Sequence, residues 1–266
     1  MQELTLKEIQ QSSYQILKKI KEVCDSNNIT YFLDYGTLIG AIRHEGFIPW
    51  DDDIDISLPR KDYEKLVNLC IQDPSIIAPF ELLHYKTNKN YIYPIARIND
   101  PSYYTDYQNA KDYGLGAFVD VYPVDGININ DKKHLKKLLH LNNIIYVAGH
   151  KHMSKARNLL RNIPKFIFFI ITRFTNLNKL IAKVDKLSQK YDFDNSNIVS
   201  ACVIESWQHF EKTDYTNPIL HKFEDELFNI PQNYDKHLRS YIGDYMQLPP
   251  KEERVGHHFY KMYKKN

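Results

Sequence analysis

Apolar residues recur at helical spacing from the start of the chain. Ile9, Ile16, Leu17, Ile20 and Val23 form one stripe, and Thr5 with Glu8 makes a capping box, so a first helix is predicted over 6 to 25. Asn27-Asn28 ends it. The β-rich run Tyr31 to Tyr35 reads as a strand, Gly36-Thr37 as a small-residue turn, and Leu38, Ile39, Ala41 and Ile42 as a short helix. Pro59 opens another helix with Tyr63, Leu66, Val67 and Cys70 as its buried stripe. Phe80 to Tyr85 and Tyr91 to Ile98 read as a β pair around the turn TNKN, residues 103 to 113 as a tyrosine-rich loop, and Phe118 to Tyr122 as a strand. From 131 to 190 the pattern is helical. The last third alternates short strands and loops until Tyr234 to Ile242 reads as a helix, and Pro249-Pro250 stops regular structure. Strands interleaved with helices predict an α/β chain, an α+β arrangement with a mixed sheet.

Composition narrows the setting. At 266 residues with 43% apolar content the chain supports a real core. Cys24, Cys70 and Cys202 are odd in number and outside any CxxC spacing, which argues against a disulfide framework or a structural zinc site. The opening MQELTLKEIQQ has no apolar signal-peptide region, so a cytoplasmic location is expected. The net charge of +2 conceals an asymmetry, because residues 132 to 190 hold 14 Lys and Arg against the single acid Asp185. Such a segment calls for an anionic partner. No nucleic-acid module accompanies it, so nucleic acid is not the expected partner. Within it, PKFIFFIITRF at 164 to 174 is intensely apolar yet far shorter than a membrane span. It is either a buried helix or an interfacial one, and its basic flanks favour an interfacial helix on an anionic membrane, with Lys165 and Arg173 at the headgroups.

The chemistry concentrates in residues 31 to 58, where Asp51, Asp52, Asp53 and Asp55 interrupt apolar sequence. If this stretch is a strand, alternation puts Asp51, Asp53 and Asp55 on one face and Asp52, Ile54 and Ile56 on the other. Clustered carboxylates repel one another unless a cation sits among them, and hard oxygen ligands suit Mg²⁺ or Mn²⁺. Upstream, the strand, Gly36-Thr37 and the helix start make a phosphate cradle, since free N–H groups at a helix N-terminus point at an anion. Arg43 near the end of that helix is expected to contact phosphate. Asp120 lies inside a short apolar strand and needs a partner, as does Arg97. Asp125-Gly126 reads as a turn, and Tyr103, Tyr104, Tyr107 and Tyr113 as loop aromatics rather than a cage for a quaternary ammonium group.

The order of phosphate loop and then metal carboxylates resembles the nucleotidyltransferase superfamily. More narrowly, YGTLIGAIRHEGFIPWDDDID at 35 to 55 is similar to the signature of the LicD family, and FVDVYPVDG at 118 to 126 and YIGDYMQLPPKEER at 241 to 254 extend the match. That resemblance implies a single catalytic domain over 1 to 266. In it 1 to 130 form a nucleotidyltransferase-like core, 131 to 190 a basic helical insertion, and 191 to 266 complete the active site. It also implies a metal-dependent transfer of phosphocholine from CDP-choline to a sugar hydroxyl of a lipid-linked glycan precursor, at the inner face of the cytoplasmic membrane. Asp53 and Asp55 would hold metal with Asp51 assisting, and Asp120 would be the third carboxylate, binding metal and activating the acceptor hydroxyl. Gly36, Thr37, Arg43, Arg97, Arg254 and His257 would bind substrate. Another CDP-alcohol donor, a true nucleotidyltransferase and a non-catalytic binding relative are the alternatives.

Overall fold

The computed structural model describes residues 1–107, 109–153, 162–204, 208–256 and 260–265. In chain order it contains β1 (Gln2–Glu3), α1 (Leu6–Ser26), β2 (Phe32–Leu33), α2 (Tyr35–His44), β3 (Asp55–Pro59), α3 (Arg60–Gln72), β4 (Glu81–Leu83), β5 (Ala96–Asp100), β6 (Tyr103–Tyr107) and β7 (Ala117–Gly126). There follow α4 (Lys132–Gly149), α5 (Asn162–Thr172), α6 (Leu177–Ser188), β8 (Ile198–Ser200), β9 (Phe210–Glu211), the hairpin β10 (Pro218–Phe223) and β11 (Glu226–Pro231), α7 (Tyr234–Tyr241) and β12 (Tyr260–Lys264).

The central sheet runs β2-β3-β7-β5-β4, with β8 and β9 continuing from the end of β7. Among the described residues only β3 and β7 pair in parallel; the other pairs are antiparallel, so the sheet is mixed and the fold is α+β. A parallel pair needs a long crossover. Here α3, β4, β5 and β6 supply it, and α1 and α3 lie against β7. The core they enclose includes Ile16, Leu17 and Ile20 of α1, Leu66 and Val67 of α3, and Ile56, Leu58, Ile98 and Val121 of the sheet. Each such side chain contributes about 1.5–3 kcal/mol of burial. A second cluster joins Leu138, Leu141 and Ile145 of α4 to Ile181 and Val184 of α6.

Local signals explain the ends of elements. Thr5 accepts from the Glu8 N–H while Glu8 accepts from the Thr5 N–H, which caps α1. Four expectations need correction. Regular pairing after the TNKN turn starts at Ala96 rather than Tyr91, and Pro94 in that stretch lacks a donor for the ladder. Residues 103–107 are a strand, because β12 from the far end of the chain pairs with them. Asp125 is in β7 rather than a turn, fully buried and gripped by Arg60, whose Nε and Nη2 donate to its two oxygens at 2.7 and 2.6 Å. Finally, the helix α2 begins at Tyr35, so Gly36 and Thr37 are its first turn rather than a turn before it.

Candidate active site

The first turn of α2 is fixed from below. Asp34 is its N-cap, accepting from the Tyr35 N–H at 2.8 Å. Tyr35 adopts a left-handed backbone, φ +48°, so the chain turns sharply into the helix. Thr37 Oγ1 accepts from the Asp55 N–H at 2.9 Å, and the Asp34 N–H donates to the Asp55 carbonyl at 3.1 Å, tying α2 to the first residue of β3. Gly36 lies close against the aspartate run: a Cβ there would lie 2.8 Å from Oδ2 of Asp51.

The strands set three charged residues in a row. Asp55 on β3 is opposite Asp120 on β7, and Asp120 is opposite Arg97 on β5, so the three side chains share one face of the sheet. All three are buried. Arg97 holds Asp120 with two hydrogen bonds, Nε to Oδ1 and Nη2 to Oδ2, the latter 3.0 Å, and its Nη1 donates to the Tyr113 hydroxyl. Tyr93 and Phe118 rings lie 4.2 and 4.4 Å from the guanidinium. Oδ1 of Asp55 is buried without a hydrogen-bond partner. Burial, then the charges of Asp53, Asp120, Asp51 and Asp34, push the Asp55 carboxyl well above the ordinary carboxylate range.

Asp51, Asp52 and Asp53 precede β3 and are not in a strand, which overturns the alternation argument that set Asp52 apart. Each offers one oxygen, and those oxygens lie within 4.8 Å of one another. Oxygen donors clustered this way, with Asp53 and Asp51 close enough for their charges to act on Asp55, suit a hard divalent cation.

Of the other expected residues, Arg43 and Arg254 come together. Burial, then the nearby Arg254 charge, lower the Arg43 guanidinium below its usual value. Arg43 Nη1 donates to the Tyr245 carbonyl at 2.6 Å, so the last third of the chain is stitched to the end of α2. Arg254 lies over the Trp50 ring at 5.7 Å and donates from Nε to the Pro249 carbonyl. Arg97 is placed differently from the phosphate contact expected of it, its guanidinium being engaged by Asp120 and Tyr113. His257 lies outside the described residues. The four loop tyrosines do not form one cage. Tyr104 stacks on Tyr263, Tyr107 packs at a tilt against Tyr260, and Tyr113 accepts from Arg97.

The site also has a support that the sequence did not reveal. His237 of α7 bridges two buried carboxylates, with Nε2 3.2 Å from Asp34 Oδ1 and Nδ1 3.3 Å from Asp214 Oδ2. Phe210 stacks on its ring and Tyr215 donates to Asp34 Oδ2 at 2.7 Å. Burial opposes the charged imidazole, but the two carboxylates outweigh it and raise His237 to about 9. Burial likewise opposes ionised Asp34, and His237 together with the Tyr215 hydroxyl outweighs it and holds that carboxyl below its usual range.

The model of the LicD/FKTN/FKRP nucleotidyltransferase domain matches residues 28–138, which hold α2, the aspartate cluster, Arg97 and Asp120. The chain is 30% identical over 274 residues to the lipopolysaccharide cholinephosphotransferase LicD of Haemophilus influenzae, covering 99% of each. This chain belongs to the LicD family. Two further relatives are uncharacterized proteins of Rickettsia. That of R. typhi is 35% identical over 126 residues, 47% of this chain and 38% of its own length; that of R. prowazekii is 30% identical over 186 residues, 60% and 66%. The full-length match to the Haemophilus LicD carries the likeness past the matched domain, through α4 to α7, and so includes the residues that support α2 from the C-terminal side.

Proposed function

We propose that this chain is a LicD-type phosphotransferase that moves phosphocholine from CDP-choline to a sugar hydroxyl of a cell-surface glycan precursor. That precursor is teichoic acid, lipooligosaccharide or capsule in lipid-linked form, and the enzyme acts as a peripheral protein on the inner face of the cytoplasmic membrane. Family membership supports the reaction class, and the cholinephosphotransferase activity named for the Haemophilus relative supports phosphocholine as the group moved. The observation that carries the reading is the clustering of Asp51, Asp52 and Asp53 oxygens, with Asp51 against Gly36 in the first turn of α2 and the charges of Asp51 and Asp53 acting on the orphaned Asp55 carboxyl.

Those residues fit Mg²⁺ or Mn²⁺, with Asp51, Asp53 and Asp55 as its holders, Asp52 in the cluster with Asp51 and Asp53, and Asp120 opposite Asp55 on the neighbouring strand as a further carboxylate for the ion. When bound, the ion supplies positive charge to the donor diphosphate and the departing CMP. The chain does the rest. Free N–H groups at Gly36 and Thr37 receive phosphate oxygens at the positive end of α2. Arg43 and Arg254 add two guanidiniums on the side of Trp50. Asp120 orients the attacking sugar hydroxyl. Each of its oxygens keeps a lone pair beyond the bond it accepts from Arg97.

The test follows the phosphorus. CDP-choline labelled at the choline-side phosphorus, incubated with divalent cation and acceptor, should pass its label to the glycan and release unlabelled CMP. Label leaving as free phosphocholine, with CMP on the acceptor, identifies a nucleotidyltransferase instead. Transfer only from CDP-glycerol or CDP-ribitol in parallel incubations moves the assignment to another phospho-alcohol.

A further inference from the structure

The helix α5 turns its apolar face outward. Ile163, Phe166, Ile167, Ile170 and Ile171 recur at spacings of three and four, and Phe174 follows in the next turn; all six are exposed, Ile171 by 62% and Phe174 by 88%. The opposite side is fastened. Phe168 and Phe169 are half-buried, Thr172 is buried, and Arg173 donates from Nη1 and Nη2 to the carbonyls of His150 and Val147 at 2.7 and 2.5 Å. Arg173 also lies 4.1 Å from the Phe169 ring, so it locks α5 against the end of α4 and is not the headgroup contact the sequence suggested. The orientation of the apolar face is therefore set by the fold.

We propose that this face seats in the interfacial region of an anionic bilayer, whichever group the enzyme transfers. Charge selects the occupant. The segment 132 to 190 holds 14 Lys and Arg against one acid. Lys165 of α5 and Lys179 and Lys183 of α6 are exposed, and both α5 and α6 pack on or beside α4. A second copy docking through this face would bring two such segments together at a cost in repulsion, whereas anionic lipid neutralises them. Length selects the geometry. Eleven residues span about 17 Å as a helix, well short of the ~30 Å hydrocarbon core, so α5 lies along the surface rather than through it. No helix among the described residues is long and apolar enough to cross a membrane.

The full chain should co-sediment with vesicles of phosphatidylcholine and phosphatidylglycerol at low salt, with binding falling as salt rises, and much less with phosphatidylcholine alone. The triple variant Phe166→Ser, Ile170→Ser, Phe174→Ser should bind at least about tenfold more weakly while melting at the wild-type temperature. Replacing Lys165, Lys179 and Lys183 by Glu should weaken binding and flatten its salt dependence, an independent reading should the apolar variant melt early. Equal binding to both vesicle types, or wild-type binding by both variants, overturns the proposal. So does a dimer in sedimentation equilibrium that the apolar variant abolishes, in a chain that ignores vesicles.

Discussion

Asp55→Asn should abolish turnover and at the same time make the protein more stable when no divalent cation is present. Asp55 is buried, one of its oxygens has no partner, and Asp53, Asp120 and Asp51 surround it with like charge. An asparagine of the same shape removes the repulsion and adds a donor that the neighbouring carboxylates can accept. The gain should be on the order of 1 kcal/mol, or roughly 2 to 4 °C in melting temperature for a chain of this size. The loss of a charged ligand should lower the rate about 10³-fold or more. Acid should act in the same direction as the substitution. A carboxyl whose folded pKa is raised costs stability once pH exceeds its unfolded value, so the wild type without cation should gain stability on acidification and Asp55→Asn should gain less. Adding Mg²⁺ should raise the melting temperature of the wild type and leave the variant nearly unmoved. A variant that loses activity and also melts lower would show that Asp55 is structural. Asp52→Asn separates two pictures of the same loop. Strand alternation predicts near-wild-type behaviour, whereas oxygens clustered within 4.8 Å predict weakened cation binding, and calorimetric titration with Mg²⁺ should find it weakened.

The contrast between Asp52 and Asp125 shows where reading the chain worked and where it stopped. The helices α1, α3 and α7 and the mixed α/β class were legible, because apolar spacing, a capping box and Pro59 are local signals. The candidate aspartates stood out in the sequence for the same reason: aspartates inside apolar sequence must be paired or functional. Geometry was not. The aspartate run reads as a strand from its alternation with Ile54 and Ile56, yet regular pairing begins only at Asp55, so the faces were assigned one element too early. Asp125 reads as a turn from Asp-Gly chemistry, yet Arg60, sixty-five positions upstream, holds it inside β7. Residues 103–107 look like a polar loop until β12 supplies the partner strand. Each miss depends on a partner distant in sequence. The largest is the support under α2. Asp34 before Tyr35-Gly36 carries a helix-cap signal, but nothing in YDKHLRSY marks His237 as the residue that grips it.

His237→Gln should be the most destabilising single change in the C-terminal third and should impair catalysis from a distance. The imidazole is buried between Asp34 and Asp214, with Phe210, Tyr215 and Tyr241 closing around it. Removing its charge leaves two buried carboxylates uncompensated, a loss of about 3 kcal/mol or more. The same lesion frees Asp34 from the position in which it caps α2 and ties that helix to Asp55, so the remaining folded enzyme should show a lower kcat. The pH dependence has a definite sign. The folded pKa of about 9 lies above the ordinary histidine value, so the contribution of His237 is complete below about pH 6.5 and disappears as pH rises through about 9. Across that window it should amount to about 3 kcal/mol. Buried Cys24, Cys70 and Cys202, whose thiols burial pushes up, also weaken the fold at alkaline pH. The difference between wild type and His237→Gln, followed by urea unfolding from pH 6 to 10, therefore isolates the histidine. That difference should be large at pH 6 and shrink towards pH 10. A difference that stays constant with pH would mean that His237 is held neutral and that its two carboxylates are satisfied by other groups.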